Sequence, residues 1–321
     1  MRRALLLLLL AVVAAGSPAR AAPYPERPVR LIVPFTPGGT VDVTARMVGE
    51  ALGVRLGQPV VIDNRAGAGG AIGADLAAKA APDGYTVLVG SSSTHGTNAA
   101  VYKSLPYDPI ADFAPIVLVV RYPFVLVASP RLEVRTVGAL VALARGRAET
   151  LNYGSYGPGS ANHLPMELFL AMTGLRMVHV PYKGAAPAIA ALQAAEIDVM
   201  FDSPTTAGPP IRAGQVVLLG VGSPERWGLF PDAPTIAEAG LPGFESTSFI
   251  GLFAPTGTPA TVIARLHDET VAALAQPALR TRLEAIGYEV VGGSGAQLGD
   301  TVRDNVAKWQ RLVRERHLTF E

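Results

Sequence analysis

Five short segments of this 321-residue chain gather glycines, hydroxyls and amides directly behind apolar runs. The first reads Val33-Pro34-Phe35-Thr36-Pro37-Gly38-Gly39-Thr40-Val41-Asp42. Here a strand ends, a Pro/Gly turn follows, and a helix starts with Thr40 as its expected cap. Free backbone N–H groups and the positive end of a helix dipole then lie at the C-terminal edge of a sheet. Such a place binds a carboxylate or phosphate without a charged side chain; an ordinary strand–helix connection with two turn glycines is the alternative. The second segment, residues 90–96, carries Ser92, Thr94 and His95, which would donate to a ligand oxygen or satisfy the next helix. The third, residues 152–163, holds Ser155, Gly159, Ser160 and His163 ahead of a helix expected to start between Ser160 and Pro165. The fourth holds Lys183 and Gly184, and the fifth Asp202. Any one of these turns has a structural explanation; five recurring together point to a binding site.

Other chemistries fail on spacing. Gly67-Ala68-Gly69-Gly70-Ala71-Ile72-Gly73 approaches a dinucleotide loop, but Ile72 stands where the third glycine belongs. No GxxxxGK[ST] or GxSxG pattern occurs, which removes the usual nucleoside-triphosphate loop and nucleophile elbow. The five histidines (His95, His163, His179, His267 and His317) show no metal-ligand spacing, so no metal is expected. His163 and Glu167 form an i, i+4 pair of the kind usually spent on a hydrogen bond. A Ser155–His163–Asp202 triad can be drawn, with no spacing rule behind it.

Composition narrows the class. Hydrophobic residues are 49% and charged residues 17%, which excludes a mainly disordered chain. There are 27 Lys+Arg and 26 Asp+Glu, and Arg2, Arg3 and Arg20 fall within an apparent export signal. Without residues 1–21 the balance is 24 cations to 26 anions, too even to favour nucleic acid. The signal consists of a basic start, an apolar run over residues 4–15, and Ala19-Arg20-Ala21 before a cut expected near Ala21. The run is well short of the ~20 residues of a spanning helix. The absence of cysteine excludes disulfides, thiolate nucleophiles and a lipid-modified cysteine after the cut. A periplasmic protein is expected.

These turns need strands to hold them. β-branched runs at 29–33, 60–62, 86–89, 116–120, 124–127, 199–201, 216–221 and 249–253 read as strands covered on both faces. Helical stripes lie between and after them: Val137, Leu140, Val141 and Ala144 behind Thr136, then Val302, Val306, Trp309 and Val313. The alternation predicts an α/β protein with mostly parallel sheets. Segments 114–127 and 246–253 look like crossings between two domains. Residues 22–122 with 247–321 would form one domain and 123–246 the other, with the ligand cleft between them.

At this level of detail the chain resembles the Bug family of periplasmic solute-binding proteins, receptors of tripartite tricarboxylate transporters. The matching landmarks include Ile32-Val33-Pro34-Phe35 with Pro37-Gly38-Gly39 and Asp42, Leu56-Gly57-Gln58-Pro59, Asn64-Arg65, and Ala81-Pro82-Asp83-Gly84-Tyr85-Thr86. They continue through Leu105-Pro106-Tyr107-Asp108, His179-Val180-Pro181-Tyr182-Lys183-Gly184 and Ala233-Pro234-Thr235. The resemblance implies a type II periplasmic-binding-protein fold and a monomer that closes on a carboxylate and docks on membrane permease subunits, without a cofactor. It also implies that the turns at Gly38-Gly39-Thr40 and at Ser155, Gly159 and Ser160 hold the carboxylate, with Tyr182, Lys183, Gly184 and Asp202 lining the cleft. A receptor that presents its ligand to a sensor kinase and an exported serine-dependent hydrolase stand as alternatives.

Overall fold

A computed structural model of the chain describes residues 24–147 and 150–320; the expected export signal lies outside them. Among the described residues the strands are β1 Val29–Val33, β2 Val60–Asn64, β3 Thr86–Ser91, β4 Phe113–Pro123, β5 Val125–Ala128, β6 Asn152–Ser155, β7 Val178–Pro181, β8 Val199–Asp202, β9 Val217–Val221, β10 Thr247–Pro255 and β11 Glu289–Gly293. They form a six-stranded sheet in the order β11-β4-β10-β3-β1-β2 and a five-stranded sheet in the order β7-β6-β8-β5-β9. The helices are α1 Thr40–Leu56, α2 Ala71–Ala78, α3 Asn98–Val101, α4 Val137–Gly146, α5 His163–Thr173, α6 Ala185–Gln193, α7 Pro204–Arg212, α8 Ala260–Leu274, α9 Pro277–Ala285 and α10 Gly295–Glu315. No described helix is long and apolar enough to cross a membrane.

The expectation of mostly parallel sheets is corrected. Only the β2-β1-β3 and β7-β6-β8 portions are parallel. The remaining pairings, β10 with β3 and β4, β11 with β4, and β5 with β8 and β9, are antiparallel. Apolar runs gave no direction, because an inner strand covered on both faces reads the same in either orientation. Strands β6, β7 and β11 had no sequence signal: NYGS, VHVP and EVVGG are short and partly polar, and β7 and β11 are edges.

Helix α1 shows how an element comes to position the first turn. Val41, Ala45, Val48, Leu52 and Leu56 recur on one face and are buried with Val29, Leu31 and Val33 of β1 in one core. Each such large aliphatic side chain contributes about 1.5–3 kcal/mol by burial. Gly57, at φ 69°, ends the helix in the left-handed region. The apolar face thus fixes the helix on the sheet with its N-terminus at the end of β1.

The two sheets meet at three backbone positions that bond to one another. Phe124 alone separates β4 from β5. Its N–H donates to the Ser246 carbonyl (2.8 Å), and its carbonyl accepts from Gly222 N–H (2.7 Å). The Ser246 N–H closes the ring on the Gly222 carbonyl (2.7 Å). A Cβ on Gly222 would lie 2.0 Å from Ser246 Oγ and 2.9 Å from the Phe124 carbonyl oxygen, so this close approach requires glycine.

Candidate functional site

Between the two sheets lies a cavity of about 650 Å³. The turn after β1 supplies Phe35, Thr36, Gly39, Thr40 and Val41, and the loop before α2 supplies residues 66–70. The end of β3 gives Ser91 and Ser93, and the crossing segments give Tyr122, Phe124 and Ser248. The rest comes from Tyr156, Gly157, Pro158, Ser160 and Ala161, from residues 181–185, and from Ser203. All five polar turns therefore reach one cavity.

Its wall is built to favour negative charge. Helices α1, α2, α6 and α7 begin at it, with N-cap residues Gly39, Gly70, Gly184 and Ser203, and none is capped by its own side chain. Of the six described helices that begin away from it two are capped, Thr136 Oγ1 accepting from Ala139 N–H and Ser294 Oγ from Gln297 N–H. Helices α3, α5, α8 and α9 also lack a side-chain cap, so the four starts at the cavity are distinguished by their convergence. The first backbone bond of α1 runs from Val43 N–H to the Gly39 carbonyl, so the amides of Thr40, Val41 and Asp42 lie outside that ladder. Among the described residues Lys183, which is exposed, is the single charged side chain on the wall. Converging amides, hydroxyls and one cation, bordered by Phe35, Tyr122, Phe124 and Tyr156, suit an anion with an apolar body.

Of the residues singled out from the sequence, Gly39, Thr40, Ser160, Lys183 and Gly184 line the cavity. Thr40 is the first helical residue rather than the cap, and its hydroxyl meets Ser203 Oγ at 2.9 Å. Nine others do not line it. Gly38 takes φ 83° and donates its N–H to Asp42 Oδ2 at 2.8 Å. Asp42 also accepts from Arg46 Nε and, through Oδ1, from Asn64 Nδ2, which in turn donates to the Phe35 carbonyl. Burial works against the Asp42 charge, but the bonds from Arg46, Gly38 and Asn64 outweigh it and hold the carboxyl below its ordinary range. Asp42 is therefore placed to brace the turn.

Ser92, Thr94 and His95 turn inward. Ser92 Oγ accepts from Ser248 Oγ and Phe249 N–H, and Thr94 Oγ1 accepts from Ser91 N–H. His95 is fully buried, stacked on Phe253 with centroids 3.8 Å apart, and burial lowers its pKa to about 3. The chain leaves β3 at Ser91 and enters the helical turn 93–97 through Ser92 in the αR region, which puts the Ser92 hydroxyl on Ser248 and Phe249 while Ser91 and Ser93 line the cavity. Ser155 Oγ pairs with His179 Nε2 at 2.6 Å. Gly159 N–H donates to His163 Nδ1 at 2.9 Å, and His163 Nε2 meets the Tyr153 hydroxyl at 2.9 Å. Tyr153 donates in turn to Glu167, and His163 stacks on His179 at 3.9 Å. Burial, then the neighbouring His163, lowers the His179 pKa to about 4. Asp202 is fully buried and bonds through Oδ1 to Tyr156 Oη, Ser203 N–H and Thr206 Oγ1, so burial raises its pKa to about 6 against those bonds. Ser155, His163 and Asp202 thus each have a different partner, and the drawn triad is not assembled.

Several wall residues escaped the sequence reading. Tyr122, Phe124 and Ser248 lie in the crossing segments, read only as connections, and loop 66–70 was read as a failed dinucleotide motif and a family landmark rather than as part of the site. Uncapped helix starts at Gly70 and Gly184 were the available signal.

Comparison with known proteins agrees with this architecture. Residues 44–318 match the family described as "Tripartite tricarboxylate transporter family receptor". Protein BugT of Bordetella pertussis is 36% identical over 309 residues, covering 96% of this chain and 95% of BugT. The structure "R. palustris Rpa4515 with adipate" is similar with a TM-score of 0.89 at 38% identity, covering 93% of this chain and 100% of that one. MatC from Rhodopseudomonas palustris, with bound malate, is similar with a TM-score of 0.85 at 35% identity, covering 90% of this chain and 100% of that one. The chain belongs to the tripartite tricarboxylate transporter receptor family, with the α/β fold of its periplasmic solute-binding proteins.

Proposed function

We propose that this protein is an exported receptor that captures a small carboxylate-bearing metabolite and delivers it to membrane permease subunits as a monomer. Capture proceeds by closure of two domains, residues 22–122 with 247–321 and residues 123–246. The carrying observation is the cavity wall: four helix N-termini without side-chain caps converge there, and among the described residues its one charged side chain is cationic. The adipate and malate held by two similar proteins support the same ligand class. In this reading the amides around Gly39, Thr40 and Gly184 bind a carboxylate, and Ser160 and Lys183 complete the site. Gly38 and Asp42 shape the first turn. Ser92, Thr94 and His95 support the second, Ser155, Gly159 and His163 the third, and Asp202 the fifth.

Binding rather than turnover is the reading the unassembled triad favours. Protein unfolded and refolded to remove carried ligand would be melted against mono-, di- and tricarboxylates, aromatic acids and acidic amino acids. A ligand at 100 times its dissociation constant adds about 2.7 kcal/mol, a rise of several degrees. A selective, saturable rise is expected. No rise with any member, in protein shown to be folded, overturns the reading.

A further inference from the structure

Asp202 is the feature that an anion receptor would be expected to lack. It is a fully buried carboxyl directly behind the cavity wall, and its Oδ2 is buried without a partner. Tyr156 and Ser203, both on the wall, bond to its other oxygen. The titratable groups facing it are phenols: Tyr156 from the turn after β6 and Tyr122 from β4. Its strand neighbour on β5 is Val125, its contact from α7 is Thr206, and among the described residues no cation shifts its pKa.

A line of hydroxyls connects this carboxyl to the cavity. Thr206 Oγ1 lies 2.6 Å from Asp202 Oδ1, Ser203 Oγ 3.0 Å from Thr206 Oγ1, and Thr40 Oγ1 2.9 Å from Ser203 Oγ. A carboxylate only accepts. While Asp202 is ionised, Thr206 donates to it, which leaves Thr206 to accept from Ser203 and Ser203 to accept from Thr40. Every proton in the line then points inward. The cavity-facing oxygens of Thr40 and Ser203 show lone pairs to an incoming anion, in a site where a second buried negative charge is costly.

We infer that ligand capture is coupled to the uptake of one proton by Asp202. The proton comes from solvent and removes the charge that orders the hydroxyl line, so that Thr40 and Ser203 turn and donate outward to the ligand carboxylate. Asp202 thereby sets affinity from behind the wall, as a positioning residue. Burial has already raised this carboxyl to about 6, and an anion in the cavity raises it further. Affinity therefore falls as pH rises above about 6, by up to about tenfold per pH unit, until the pKa of the bound state is passed.

The inference rests on the carboxylate-receptor reading, and calorimetry separates the two. Adipate and malate would each be titrated into refolded protein at pH 7.0, in phosphate and in Tris, whose ionisation enthalpies differ. The expected result is a buffer-dependent heat corresponding to nearly one proton taken up per ligand, lost in Asp202→Asn or, should that variant not fold, in Asp202→Ser. Between pH 7 and 8 the affinity of the native protein should fall severalfold while that of the variant stays level. Heat without buffer dependence overturns the coupling alone, whatever the variants do. Uptake retained in the variant assigns the proton elsewhere and also overturns it. No heat from either acid overturns the coupling as stated for these two ligands, and the carboxylate reading falls with it when the wider panel also gives no thermal shift.

Discussion

Gly39 is the residue at which folding and binding separate most cleanly. Its φ is −79°, open to any side chain, and a Cβ there would meet only the Thr36 carbonyl oxygen, at 3.6 Å. Gly39→Leu is therefore expected to fold with a melting temperature within a few degrees of native. Filling the wall where α1 starts should weaken ligand binding by roughly 100-fold, about 2.7 kcal/mol. Native affinity in the folded variant would exclude the first turn. His95 makes the opposite case. Burial keeps it neutral with a pKa of about 3, below the ordinary histidine value, so its stabilising contribution is complete above about pH 6.5 and is lost as pH falls toward 3. Melting curves from pH 7 to 4 should show a fall in stability approaching about 1.4 kcal/mol per pH unit from this group. His95→Phe should flatten that fall and leave affinity within about threefold; an unchanged slope would remove His95 as its cause. Residue types announced where polar groups gather, but not which way each one faces. Ser91, Ser92 and Ser93 are chemically identical, and the change from extended to helical backbone after Ser91 divides them between cavity and core.

Strands and helices were legible where they carry long apolar patterns. The stripe Val137, Leu140, Val141 and Ala144 behind Thr136 is helix α4, with the Thr136 cap bond formed. The runs at 29–33 and 86–89 became β1 and β3, which carry two of the turns that reach the cavity. Strand direction was not legible, nor were β6, β7 and β11, because partners distant in sequence specify them. The ring of backbone bonds among Phe124, Gly222 and Ser246 is likewise a tertiary property, and Gly222 carried no local signal. Gly222→Ala should cost roughly 1–3 kcal/mol in urea unfolding through overpacking. Ser246→Ala should not rescue it, because the Phe124 carbonyl would remain 2.9 Å from the new methyl. Full rescue would mean that the backbone contact is not the constraint.

For the molecule as a whole, contacts beyond the crossing segments also tie residues 123–246 to the rest of the chain. Thr205 Oγ1 donates to Tyr288 Oη at 2.7 Å, and Trp227 Nε1 donates to the Gly287 carbonyl at 3.0 Å. Elsewhere Leu164 of α5 packs with Val101, Trp309 and Leu312 in a separate apolar cluster. A ligand in the cavity adds contacts to both halves and so stabilises this arrangement over any more open one. The central claim is that this site selects its ligand by negative charge, using helix amides rather than paired cations. Calorimetry on stripped protein tests it most directly, comparing the carboxylate that gives the largest thermal shift with its neutral amide of equal length. The expected result is saturable one-to-one binding of the acid and at least about 100-fold weaker binding of the amide, a difference of about 2.7 kcal/mol. Equal affinities for acid and amide would contradict the claim.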